Sequence, residues 1–171
     1  GAMLINGGTI CNSTAASRPM YNSITIGGNF SVGGVAGYGA GLLTFFGTMD
    51  LGGAVRTLTI NSPVTLAGAV SNGGLTKNGS GTLTLAGANT YTGQNAIFAG
   101  TLQLGDGNSS GSLADASAIA IGPAATFHFN RTNSDTDFPN TFSGTGTVLK
   151  SVAAVEFGLT GTNSFSGLID I

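Results

Sequence analysis

Few residues in this chain have side chains that could do chemistry, and their spacing limits what each could do. The only histidine, His128, sits in Thr-Phe-His-Phe (126–129), with no nearby cysteine or carboxylate to complete a metal site or a catalytic pair. Alternation along that segment points Phe127 and Phe129 inward and His128 outward, so the histidine reads as exposed and passive. Cys11 is the only cysteine, so it forms no intrachain disulfide and does not fix a redox compartment. Arg131, Asp135 and Asp137 form the densest charge cluster, within Arg-Thr-Asn-Ser-Asp-Thr-Asp-Phe-Pro (131–139). Two carboxylates at that spacing could share a hard cation such as Ca²⁺, or serve the acidic machinery of a β-helical polysaccharide lyase. The Gly-Gly-x-Gly-x-Asp calcium repeat is absent, so the segment reads as a solvated loop closed by Pro139 and is kept as a weak surface-cluster candidate. In the polar excursion 105–117, Asp106 and Asp115 make no pattern. Asp50 and Arg56 flank Leu-Gly-Gly-Ala-Val and are expected to pair across a turn, contributing about 0–1 kcal/mol at a surface. No P-loop, nucleophile elbow, dinucleotide fingerprint or zinc spacing is present. The expectation is a non-enzyme with no cofactor and no bound metal.

The rest of the composition explains why chemistry is scarce. Of 171 residues only 7% are charged, against about 25% in an ordinary domain, while 41% are hydrophobic and 30 are glycine. High hydrophobicity with low charge is the reverse of a disordered chain. Glycine has no three-residue period, which excludes collagen. A net charge of −2 without a basic patch excludes a strongly charged nucleic-acid binder. Gly1-Ala2-Met3 reads as the remnant of a cleaved affinity tag, which leaves 4–171 as a single segment.

One quartet, alternately small or polar and apolar, recurs: SITI (23–26), TLTI (57–60), TLTL (82–85), TLQL (101–104), AIAI (118–121), TFHF (126–129), AVEF (154–157) and LIDI (168–171). Strict alternation marks a strand with one face buried. Further short strands lie between the quartets, at 29–32, 42–46, 64–70, 96–99 and 147–150, and glycine or asparagine follows most of them. Repetition near 20 residues favours a solenoid, whose coils bury their faces only by stacking on neighbours. The expected fold is all-β, a parallel β-helix of roughly seven to eight coils, forming a rod about 35–40 Å long at the interstrand spacing. No helix is expected, and strands this short do not make a transmembrane barrel. Thr57/Thr59 and Thr82/Thr84 are expected to stack as Thr-x-Thr rows. The next rows, Thr101/Gln103 and Ala118/Ala120, break any flat threonine array of the ice-binding kind. Low charge then has a cause, because like residues sit above like and stacked like charges repel.

Residues 47–105 carry a recognisable pattern, above all GGLTKNGSGTLTLAGANTYTG (73–93) followed by TLQLG (101–105). This resembles the passenger-associated transport repeat, the autotransporter-associated β-strand repeat of type V secreted bacterial proteins. The residues that carry the resemblance are Leu75, Lys77, Leu83, Leu85, Asn89, Tyr91, Gly93, Leu102 and Leu104. GANTYTG (87–93) returns as GTNSFSG (161–167), with Asn163, Phe165 and Gly167 in matching places. Lys150 precedes that copy much as Lys77 precedes the first, so 142–171 reads as a degenerate second copy. The two asparagines are expected to satisfy backbone groups at coil corners, with the aromatic beside each stacking on the neighbouring coil. The resemblance implies a right-handed β-helical passenger, exported through the periplasm and an outer-membrane translocator barrel to the cell surface or beyond. It implies a structural stalk that assists its own secretion and folding and presents an adhesin. Its partners would be a host-cell surface glycan or protein, or a second rod through self-association. A β-helical enzyme segment, a toxin-like passenger and a pure spacer are the alternatives.

Overall fold

The computed structural model describes residues 1–132, 135–151 and 157–171, and for 135 and 136 the backbone alone. Within them the chain winds as a parallel β-solenoid of eight coils, with strands in up to three positions per coil and no helix among the described residues. The first coil carries β1 (Met3–Ile5), β2 (Thr9–Ile10) and β3 (Arg18–Met20). The second carries β4 (Ile24–Ile26), β5 (Phe30–Val32) and β6 (Leu43–Phe45). In the third, β7 (Met49–Ile60) runs across two faces before β8 (Val64–Leu66), and in the fourth β9 (Val70–Asn78) does the same before β10 (Thr82–Leu85). The fifth has β11 (Asn95–Ile97) and β12 (Gly100–Leu104), and the sixth β13 (Ile119–Ile121) and β14 (Ala125–Phe129). The seventh has β15 (Asp135–Phe138), β16 (Phe142–Gly144) and β17 (Thr147–Lys150). The eighth has β18 (Phe157–Leu159), β19 (Ser164–Phe165) and β20 (Leu168–Asp170). The expected AVEF strand falls outside the described residues except at Phe157.

The third face is one unbroken sheet in the order β20-β17-β14-β12-β10-β8-β6-β3, so every coil contributes one rung. The alternation predicted from sequence is observed there: Leu83, Leu85, Leu102, Leu104, Phe127 and Phe129 point inward and are buried. Between the sixth and eighth coils the core changes from aliphatic to aromatic. Phe127 and Phe129 meet edge-on at 4.9 Å, and Phe129 meets Phe138 and Phe157 edge-on at 4.9 Å, the geometry that ring quadrupoles favour.

One expectation about register is corrected. TLTI (57–60) does not stack on TLTL (82–85), because Leu58 lies on the second face, paired with Phe30 and Lys77, while Leu83 lies on the third, paired with Val64 and Leu102. On the third face the threonine ladders are Thr44–Thr65–Thr84 and Thr82–Thr101–Thr126–Thr147, two outward columns, while Thr57 pairs with Thr76 on the second. They run side by side only at the fourth coil. Lys150 stands on the third face beside Phe129, one face on from Lys77, which stands on the second beside Ile97. The cause is that loops of unequal length separate the strands, so equal spacing in sequence does not mean equal position around the coil.

Glycine is required where coils approach at a corner. Gly47, Gly68 and Gly87 stack one above another between the third and first faces; a Cβ on Gly68 would lie 2.2 Å from the Gly47 carbonyl oxygen, and one on Gly87 2.4 Å from that of Gly68. Gly68→Ala is expected to lower stability by about 1–3 kcal/mol, the usual cost of overpacking, read as a drop in the denaturation midpoint.

Candidate functional site

The residues singled out in 75–104 gather at the corners of the fourth and fifth coils. Leu75 and Lys77 are both inward positions of β9, and Lys77 is wholly buried. Its Nζ donates to the carbonyls of Asn78 (3.0 Å), Gly79 (2.8 Å) and Ala99 (3.0 Å). Two of those acceptors belong to its own coil and the third to the next, so the amine ties the fifth coil to the fourth. Burial pulls its pKa from 10.5 to about 8.

Asn89 holds the opposite corner. Its Oδ1 accepts from the Val70 amide one coil back (3.0 Å), and its Nδ2 donates to Gly87 O (2.9 Å) and Ser112 O one coil on (2.8 Å). Asn163 repeats the arrangement, with Oδ1 accepting from the Phe142 amide (2.8 Å) and Nδ2 donating to Gly161 O (2.8 Å). The two corners differ in place: Asn89 follows a third-face strand, whereas Asn163 follows a first-face strand, so the copies are one face out of phase. They also differ in burial, Asn89 being buried and Asn163 exposed. Asn89→Ala leaves the buried Val70 amide without its acceptor and takes one of two donors from the Gly87 and Ser112 carbonyls, and is expected to cost about 1–3 kcal/mol. Asn163→Ala lets water replace the amide and is expected to cost under about 1 kcal/mol. Paired urea denaturation curves check the difference.

Tyr91 is buried and its hydroxyl donates to Asn95 Oδ1, while burial pushes its phenol well above the ordinary value. Asn95 Nδ2 in turn donates to Ser117 Oγ (3.1 Å), and Asn140 Nδ2 donates to Ser117 O (2.7 Å) and Ala114 O (2.8 Å). This internal polar column, Tyr91–Asn95–Ser117–Asn140, escaped the sequence reading. Its members occupy corner or inward positions, and only the stacking of coils brings them together. Gly93 joins the column, because its carbonyl accepts from Ser117 Oγ (3.3 Å), and a Cβ there would meet the Gly73 carbonyl at 2.4 Å. Phe165 packs against the core from the last coils, and Gly167 abuts the Gly146 carbonyl.

The charge cluster is placed residue by residue. Arg131 donates to Gly111 O and its guanidinium lies 5.8 Å from the Phe138 ring centroid. Asp137 is exposed and its Oδ1 accepts from the Thr160 hydroxyl at 2.7 Å, while the Asp135 side chain lies outside the described residues. Among the described residues no group of three or more His, Cys, Asp or Glu could hold a metal. His128 is half-buried, with Nε2 2.7 Å from Ser151 Oγ, and burial and then the Lys150 charge lower its pKa. The expected Asp50–Arg56 pair is replaced by other hydrogen bonds: Asp50 accepts from Gly52 N (2.7 Å) and the Asn72 side chain (Nδ2, 3.0 Å), and Arg56 donates to Leu51 O (2.8 Å) and Gly27 O (2.9 Å). Asp106 accepts from Ser110 Oγ, which does most to hold its carboxyl below the usual range.

What these corners share is that polar side chains hold backbone groups together, and among the described residues no set of reactive groups converges. The Passenger-associated-transport-repeat family matches residues 75–104, the stretch with the Lys77 clamp and the Asn89 corner. That repeat is one of autotransporter passengers. The chain is similar to the adhesin BmaC autotransporter of Brucella suis biovar 1 (strain 1330), at 35% identity over 111 residues, which is 64% of this chain. It spans about 3% of that relative's length. No solved structure matches it. The repeat and this relative place the segment at the bacterial cell surface or in the secreted fraction, reached through the outer membrane.

Proposed function

We propose that the segment is a structural stalk of an adhesive passenger, which presents a binding surface at the cell exterior and assists its own export. The observation that carries this reading is the continuous third-face sheet. Eight coils stacked in register make a stiff rod in which each coil is completed by its neighbour. A chain with few charges and no disulfide suits passage through a pore unfolded, and coil-by-coil stacking outside biases the movement outward. In the full-length protein an outer-membrane translocator barrel is the export partner. The name of the Brucella relative, an adhesin, supports an adhesive rather than enzymatic role. Host-cell glycans or proteins are the targets in this reading.

The test is to display the chain ahead of an outer-membrane translocator barrel and measure attachment of the displaying bacteria to host cells. Displaying bacteria are expected to attach above the level of bacteria carrying the barrel alone. Equal attachment by the two would leave a spacer and remove the adhesive part of the reading.

A further inference from the structure

The inward column of the third face runs Arg18–Leu43–Val64–Leu83–Leu102–Phe127–Val148–Ile169, one residue from each coil. Every member is apolar except the first. Arg18 and Pro19 are both exposed, and they lie on β3, the last strand of its sheet. In a parallel ladder successive residues turn their N–H and C=O groups to one neighbouring strand and then the other. The Arg18 amide donates to Leu42 O (2.9 Å) and Met20 O accepts from the Phe46 amide (2.8 Å), so residues 18 and 20 face the second coil. Pro19 therefore faces away from it. That is the position at which β3 would have to donate to a further strand, and proline has no N–H. Gly1, whose carbonyl accepts from Asn22 Nδ2 (2.7 Å), lies past the end of β3 and leaves its edge open. At the other end of the rod the Leu168 amide donates to Gly146 O (3.0 Å), back into the seventh coil. Ile169 therefore turns its N–H and C=O outward, at an end where Leu168, Ile169 and Ile171 are exposed.

We propose that Arg18 and Pro19 make β3 a stop, an edge to which no parallel strand adds, so that copies of the rod do not join head to tail. The contact they prevent is otherwise matched in register. One further turn of the repeat would set Ile169 of one copy opposite Arg18 of the next, as Val148 stands opposite Ile169 within the chain. The Ile169 carbonyl would then meet the Pro19 ring, where Thr44 of the inner rung carries an amide hydrogen. The Arg18 side chain would bring its charge to the apolar core between the copies, at a desolvation cost that no partner there offsets. An inward-facing charge and a proline are two of the devices by which sheet edges avoid pairing. A third is brevity, and β1 and β2 of the same coil have only three and two residues. Arginine at an inward position is the more telling because the whole chain has only five lysines and arginines. The third face is thus directional, closed to pairing at β3 and open at β20.

The experiment follows the purified chain by sedimentation velocity over a wide range of concentration. The parent is expected to sediment as a monomer throughout. The double variant Arg18→Leu, Pro19→Thr supplies an apolar inward residue and an amide hydrogen at the edge. It is expected to gain mass with concentration beyond that of a dimer, because a head-to-tail contact does not close. Adding Ile169→Lys at the opposite end is expected to weaken that association about tenfold or more. Pro19→Thr alone, which keeps Arg18, is expected to associate more weakly than the double variant and more strongly than the parent. It carries the test if the double variant has a lowered melting midpoint. A parent that self-associates, and loses this in Ile169→Lys, overturns the proposal, since β3 then accepts a strand. Folded edge variants that stay monomeric overturn it too, because something other than Arg18 and Pro19 then keeps the ends apart. Association of the double variant that survives Ile169→Lys places the contact elsewhere and equally overturns it.

Discussion

The double variant Leu83→Asp, Leu85→Asp is expected not to fold and not to reach the cell surface intact. Both leucines are completely buried on β10, between β8 and β12 of the unbroken third-face sheet. Loss of each side chain costs about 2–5 kcal/mol on its own. Each carboxylate then stands in the core without a partner, at several further kcal/mol per ion unless it takes up a proton. Together these are as large as the 5–15 kcal/mol that stabilises a typical domain. The effect also reaches beyond one coil, because the third coil stacks on one side of β10 and the fifth on the other. Circular dichroism melts and protease sensitivity of the purified chain read the folding, and surface display ahead of a translocator barrel reads the export. Gln103→Glu, at an outward position of β12, is the control and is expected to change stability by about 1 kcal/mol or less. If the double variant is displayed as well as the parent, stacking is not what export depends on.

Lys77→Met is expected to lower stability at neutral pH by roughly 2–4 kcal/mol, because three interior carbonyls lose their donor. It is also expected to change the shape of the pH dependence. The Lys77 amine has a pKa of about 8 in the folded chain and 10.5 as an ordinary lysine. Between those values the unfolded chain binds more protons than the folded one, so stability rises with pH from about 8 to about 10.5. Below about 8 the amine is protonated in both states and contributes no slope. The parent should therefore show a rising limb in this window that Lys77→Met lacks. Urea denaturation midpoints measured from pH 7 to pH 11 check it. A rising limb of equal size in the variant would assign the titration to another group.

The alternation of TLTL, TLQL and TFHF was legible because a two-residue period fixes which side chains are inward whatever the coil order. Lys77 belonged to the same pattern, two residues after Leu75, but lysine is ordinarily a surface residue, and nothing in the sequence marks three carbonyls waiting around it. Asn89 and Asn163 were legible as corner residues because each satisfies a carbonyl two residues before it, a contact that sequence alone can hold. The columns were not. The excursions 11–17, 33–42 and 105–117 have different lengths, so a quartet 25 residues after another lies on a different face, as TLTI and TLTL do.

The sequence by itself determined that the chain is all-β, that it stacks as a solenoid of about eight coils, and that it resembles a secreted passenger. Those properties depend on local alternation, composition and a contiguous motif, all of which survive without knowledge of long-range pairing. Only the tertiary structure decided which residues lie above which. It grouped Tyr91, Asn95, Ser117 and Asn140 into one internal column, placed Lys150 one face on from Lys77, and set Tyr21 against Phe46 on the outside. The physical reason is that a coil-to-coil neighbour is one full turn away in sequence, and the length of that turn is set by loops that carry no periodic signal.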